Sequence, residues 1–461
     1  MRTPWLAGAA GAFVFFSVSP AVANGRFPAS NHIFFSPSDP KLVVLRATFG
    51  IVFSHDSGTT WRWLCEDVLG LPPASVEDPT FALTAGGTLV AGTSQGLLLS
   101  PDTGCNWRIA GEGLAHQAIV DIAIRPNSPH ELVALAAPDN GDGGSGDSSA
   151  PGAQVYASTD DGTTWSTAGT PIDPSIVTST LDVAATDPHR LYVAGYRLAG
   201  ASRVPVLLVS MDDGVHWTER FAPPLMNEVN VYIAAVDPTN ADRVYVRTEG
   251  QSRLFVTSDA GLTFQVPFSS LTGQMVGFAL SPDGSKIYAG SREDGLFVAA
   301  RSSLGSPGAF QSKNSSVHVQ CLTARGAELW ACADEASGFA AGVSGDDGAT
   351  FAAKFHLYDV QGPLTCAPDA PAAQCAGELF QQLCSNLGGC LPEDGGAGAD
   401  AGEIPTIAPK SRSSCGCTGA GDGAPASLFG AATIGALAAR WRRSARRRRT
   451  PQCRASIDHS C

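Results

Sequence analysis

The sequence contains no Cys-x-x-Cys pair, no histidine-rich cluster and no zinc motif, although it carries 12 cysteines. Structural zinc and thioredoxin-type redox chemistry therefore have no ligands or active pair to work with. A phosphate-binding glycine loop and a nucleophile elbow are also missing, which removes P-loop phosphoryl transfer and α/β-hydrolase catalysis. Neither apolar run, at 5–18 or at 426–439, reaches the roughly 20 residues of a full membrane span. The acidic stretch Asp139-Asn140-Gly141-Asp142-Gly143-Gly144-Ser145-Gly146-Asp147 lacks the spacing of a calcium loop and reads as a flexible insertion. No metal and no cofactor is expected.

What is present begins with targeting. Arg2, the apolar stretch from Trp5 to Val18, and Ala21-Val22-Ala23 ahead of Asn24 form a secretory signal over 1–23. At the other end, Ser414-Cys415-Gly416-Cys417 precedes the apolar run Ala426 to Ala439. Arg440, Arg442, Arg443 and Arg446 to Arg449 follow, and such a cluster keeps its end of the chain in the cytoplasm. The Cys-Gly-Cys, short helix and arginine block resemble the myxobacterial C-terminal sorting signal. That resemblance implies a membrane-embedded processing protease as a partner, with Cys415 and Cys417 as processing residues. An ordinary tail anchor is the alternative, and the extension 450–461 has no assigned role.

Basic charge is scarce once the ends are set aside. Between Arg2 and Lys410 there are 19 Lys and Arg against 41 Asp and Glu, a net charge of about −22. A body this acidic repels nucleic acid and anionic lipid, so neither is expected as its partner. Cysteines in an exported chain read as disulfides. Cys321 and Cys332 flank the turn Arg325-Gly326-Ala327-Glu328 symmetrically and should face each other across a hairpin.

Internal repeats dominate the middle of the chain. The pattern Ser/Thr-x-Asp-x-Gly-x-x-Trp/Phe occurs at 54–61, 100–107, 158–165, 210–217, 257–264 and 344–351. Its aspartates are Asp56, Asp102, Asp160, Asp212, Asp259 and Asp346, at intervals of 46, 58, 52, 47 and 87. The last interval is nearly double, so a degenerate copy belongs within it, at Arg301-Ser302-Ser303-Leu304-Gly305 ahead of Phe310. Short strand-like runs precede each copy, as in Leu42-Val43-Val44-Leu45 and Leu191-Tyr192-Val193-Ala194. Evenly spaced short strands at about 40–50 residues per repeat predict an all-β, seven-bladed β-propeller over 24–360.

The eight-residue pattern resembles the Asp-box, or bacterial neuraminidase repeat, of sialidases, sortilin-type receptor domains, some xyloglucanases and photosystem assembly factors. The resemblance covers about 330 residues and implies a fold rather than an activity. Within each copy the aspartate can accept N–H bonds inside a tight turn. The glycine takes a positive φ, and the aromatic tucks between adjacent sheets. The six aspartates are accordingly structural.

After the propeller, 361–390 reads as a small Cys-rich helical module. Cys366, Cys375, Cys384 and Cys390 are expected to pair among themselves. Residues 391–414 form a Gly/Ala/Asp/Pro-rich flexible linker, and 415–449 the sorting or anchor segment, with a membrane helix.

Ligands are expected on the face opposite the Asp-box turns. Four second strands end there in Arg46, Arg197, Arg247 and Arg292, beside Glu249, Glu293, Asp294, Asp334 and Glu335. An arginine ring would bind carboxylates, as in sialic or uronic acids; the competing reading is a rim of local ion pairs. Similarity to sialidases would require an arginine triad, an Asp acid/base and a Tyr–Glu pair. Only Arg26-Phe27-Pro28 matches, as a three-residue motif, and no Tyr–Glu pair is assignable. An exported surface scaffold that binds a glycan or protein is therefore expected, with a two-carboxylate glycosidase as the alternative.

Overall fold

A computed structural model describes residues 28–71, 77–138, 152–200, 202–221, 230–248, 252–269 and 271–391. The signal, Arg26-Phe27, the insertion 139–147, Glu249, residues 392–414 of the linker, the segment bearing Cys415 and Cys417, and the tail 450–461 lie outside them.

The strands of the described residues form seven sheets, each built on four strands taken consecutively from the chain, with one further strand added to the first. The sheets span 30–64, 80–109, 117–168, 176–221, 231–268, 277–314 and 321–355. Their first strands touch one another in chain order, and that of blade seven meets that of blade one. The protein is thus a seven-bladed β-propeller, with the first strands forming its inner wall.

The physical basis lies in two-sided burial. The second and third strands of a blade are covered on both faces by neighbouring blades, so they cannot alternate apolar with polar residues. Leu89–Thr93 and Gly50–Ser54 are buried at every position. This is why the sequence shows unbroken apolar runs ahead of each turn. Blade six, hidden in the doubled interval, has its four strands at 277–314, and Arg301–Ser303 makes a short 3-10 turn between its third and fourth.

Among the described residues each of blades one and seven takes its four antiparallel strands from its own stretch of chain, and the ring closes by side-chain bonds and an outer clasp. Ser30 Oγ donates to Ala340 O at 2.5 Å, Thr323 Oγ1 to Ile33 O at 2.9 Å, and Trp61 Nε1 to Lys354 O at 2.8 Å. Trp61 also packs on Phe355, ring centroids 5.0 Å apart. Beyond blade seven, Val360–Pro363 adds a fifth strand to blade one, parallel to Trp61–Leu64.

The cysteines extend this clasp. Cys65 bonds Cys375 and Cys105 bonds Cys366, while Cys384–Cys390 and Cys321–Cys332 are local. The expected pairing of Cys366 and Cys375 within their own module is therefore corrected: both reach back to blades one and two. The module is not free-standing, because Cys375, Leu383 and Leu387 share one buried cluster with Trp63 and Leu64. Within it, the helix Glu378–Leu387 ends at Gly388, in the left-handed conformation with φ 83°.

Candidate ligand-binding face

The repeated turns are built from their own residues. In blade one, Ser54 Oγ donates to Asp56 Oδ1 at 2.8 Å, and Gly58 N donates back to Ser54 Oγ at 2.8 Å. Thr60 N and Thr60 Oγ1 donate to the two oxygens of Asp56 at 2.8 and 2.7 Å. The same bonds recur around Asp102, Asp160, Asp212, Asp259 and Asp346, with Asn106, Thr164, His216, Thr263 and Thr350 as donors. Donors to the charged form hold the carboxyls below the ordinary value. For Asp346 the Thr350 N–H is the leading cause, followed by the Thr350 and Ser344 hydroxyls, and the value falls to about 2. Each of these carboxylates is thus bonded through both oxygens to its own turn, as a structural role requires.

Two details differ from the sequence expectation. The residue before each turn glycine is left-handed as well, as at Ser57, φ 61°, followed by Gly58, φ 86°. Only Trp61 among the turn tryptophans is fully buried; Trp107, Trp165 and Trp217 are half-buried, and the first two donate to their own turn glycines.

That left-handed position also links blades, a role the sequence reading missed. Asp161 accepts Gly86 N of blade two at 3.1 Å, Asp213 accepts Arg125 Nη2 of blade three at 2.8 Å, and Asp347 accepts Tyr288 of blade six at 2.7 Å. The doublets Asp160-Asp161, Asp212-Asp213 and Asp346-Asp347 were the available signal.

A second set of staples sits on the inner wall. Asp121 accepts Thr80 Oγ1 of blade two at 3.3 Å and Leu181 N of blade four at 3.0 Å. Asp182 accepts Val236 N of blade five at 3.1 Å. These carboxylates satisfy backbone donors on strand edges that have no further strand to pair with. Burial pushes both carboxyls up to about 6. Nearby, His32 keeps exposed surface, yet its imidazole is pushed down to about 4 by surrounding protein and then by Arg46. Exposure combined with crowding fits a narrow, walled space better than an open surface.

The four arginines do not present one common set of contacts. Arg46 donates to Asn31 at 2.9 Å and to Pro79 O at 2.8 Å. Arg197 is engaged by Glu219 and by Asp173 at 2.9 Å, which in that order raise its pKa further. Arg247 lies over the Tyr232 ring at 4.6 Å and donates to Met275 O. Arg292 joins the acidic residues singled out from the sequence, donating to Asp334 at 2.8 Å with its side chain 59% exposed.

Around Arg292 a polar cluster forms on the far side from the turns. It is built from the loops between second and third strands and from the segments flanking blade seven. His318 Nδ1 lies 2.9 and 3.0 Å from the two Asp334 oxygens. The next residue, Glu335, takes His356 Nδ1 at 2.8 Å and Leu357 N at 2.7 Å. Asp359, raised above the ordinary carboxyl value by burial, accepts His356 N at 2.7 Å. Asp294 is held to about 2, burial being outweighed by Ser291, Thr272 and Gly273 donors. Neither histidine was visible as a site residue in the sequence, since each is isolated there. Among the described residues no three His, Cys, Asp or Glu come together to hold a metal.

No protein-family model matches the chain, and no curated protein matches it. Among solved structures it is similar to an ancestral GH74 enzyme, at 14% identity and a TM-score of 0.49, over 67% of this chain and 44% of that one. It is also similar to the Kuenenia stuttgartiensis hydrazine synthase structure, at 12% identity and 0.46, over 72% and 99%. A YCF48 bound to D1 peptide gives 15% and 0.37, over 57% and 74%. The chain spans less than half the length of the first of these. Likenesses so distant add nothing to the propeller form, which the sheets establish themselves.

Proposed function

We propose that the chain is an exported cell-surface propeller, of the Asp-box type, that binds a glycan or a protein through the face opposite its repeated turns. The observation carrying this reading is the Arg292–Asp334–His318 network, which ends in an exposed guanidinium, set against turn aspartates whose two oxygens each accept a bond from their own loop. Four disulfides suggest an extracellular or otherwise oxidising compartment. No helix among the described residues is long and apolar enough to cross a membrane. In this proposal the chain reaches the surface by its signal, is held transiently by its C-terminal helix, and is cut near Cys415 or Cys417.

Glycoside hydrolysis is the second reading: Asp359 is made easier to protonate by burial and Asp294 is held ionised by its donors, and the reading requires two such carboxylates about 5–10 Å apart across a groove. A glycan array followed by reducing-end assays on every retained glycan separates the two. Retention without turnover supports the scaffold. Turnover that survives purification and disappears with Asp359→Asn would replace it with the glycosidase.

A further inference from the structure

The far face carries one feature that the cluster itself does not use. Among the described residues the exposed large hydrophobics are non-aromatic except Tyr358, which is 43% exposed. An exposed apolar residue is ordinary in itself. Its support is not. The Tyr358 ring lies parallel to that of His356, at an interplanar angle of 8° with centroids 5.0 Å apart. His356 is gripped at Nδ1 by Glu335, whose other oxygen takes Leu357 N. Asp359 closes the turn onto His356 N, and Asp359 N donates to His356 O at 2.9 Å. Tyr358 O accepts Leu391 N at 3.1 Å. The turn Leu357–Asp359 is thus held at each residue, and an aromatic plate stands on it with little freedom left to lose on binding.

From this we propose that Tyr358 is a stacking platform for the face of an uncharged sugar ring, a reading that rests on the ligand-binding face above. An aromatic plate offers apolar area for sugar C–H groups, while the phenol can bond a sugar hydroxyl. The surrounding charge selects among sugars. Glu335 and Asp359 flank the platform, Asp334 already occupies Arg292, and the body is strongly acidic. A uronic or sialic acid would meet net repulsion there, whereas a neutral hexose polymer would not. Burial, then Asp359 and Glu335, keep the phenol above its ordinary pKa, so it stays neutral.

The test uses the exported, disulfide-intact protein against immobilised neutral glucans, mannans and galactans, with polyuronate and sialylated glycans as the acidic arm. Neutral glycans are expected to bind in preference to acidic ones. Tyr358→Ala should weaken that binding at least about tenfold and Tyr358→Phe hardly at all. Glu335→Gln, which loosens the grip beneath the platform, should weaken it by an intermediate factor. Binding confined to acidic glycans, no glycan binding, or a folded Tyr358→Ala protein that binds like the parent overturns the platform. If binding then depends on Arg292 and Asp334, the face remains the ligand site; if those substitutions are also silent, the face falls with it.

Discussion

Removing the Cys105–Cys366 disulfide should cost the propeller far more than removing Cys384–Cys390. The four residues concerned are all half-buried, so alanine leaves comparable packing in either pair. The difference lies in the unfolded chain. With Cys65–Cys375 intact, Cys105–Cys366 closes a ring made of 65–105 and 366–375, about 50 residues, worth about 4 kcal/mol of denatured-state entropy. Cys384 and Cys390 are separated by only 6 positions, which gives about 2 kcal/mol on the same scale. Folded-state effects widen the gap, because the clasp pins the segment that carries Val360–Pro363 onto blade one. Denaturant unfolding of Cys105→Ala/Cys366→Ala and Cys384→Ala/Cys390→Ala, each with its remaining disulfides oxidised, provides the assay. Equal losses, or a larger loss from the local pair, would show that 361–390 does not act as a closure for the ring.

Three further outcomes are expected. Asp160→Ala strips the acceptor from Ser158 Oγ, Thr164 N and Thr164 Oγ1, and should destabilise by about 1–3 kcal/mol in chemical melts while ligand binding survives. Asp121 and Asp182 are easier to protonate folded, at about 6, than at their ordinary 3.8. Their linkage therefore makes stability rise as pH falls from about 6 to 4, and fall as pH climbs back through 6, by up to about 3 kcal/mol per group. Asp182→Asn should flatten that slope in melts across pH 4–7, and an unchanged slope would refute the assignment. The turn aspartates have the opposite sign, their contribution being lost only below about pH 4. Finally, Cys415→Ala/Cys417→Ala should accumulate a larger form in the inner membrane; mass spectrometry finding the arginine block on surface-exposed parent protein would favour a plain tail anchor.

Blade number and blade boundaries were legible because they rest on short-range patterns. Ser54 to Trp61 and its copies fold on themselves, and Leu42-Val43-Val44-Leu45 is apolar throughout because both its faces are covered. The degenerate copy at 301–305 was found by interval alone. Long-range pairings were not legible. Nothing local distinguishes Cys366, which crosses to Cys105, from Cys384, which bonds its neighbour Cys390. Asp121 and Asp182 are polar residues inside apolar strands with nothing local to mark their role, and their partners belong to other blades. The arginines ending four second strands shared a level in the repeat, but their contacts are set by what each adjoining blade supplies. Arg197 finds Asp173 and Glu219, while Arg292 finds Asp334. His318 and His356 gain meaning only when blade seven brings consecutive carboxylates beneath them.

Ligand is proposed to bind on the face opposite the repeated turns. The most direct measurement is hydrogen–deuterium exchange of the intact protein with and without the glycan or protein retained in the binding screen. Protection is expected at 292–294, 316–320, 334–338 and 356–359, with the turns at 158–165 and 210–217 unchanged. Protection concentrated in those turns, with the Arg292–Asp334 face exchanging as in the free protein, would contradict it.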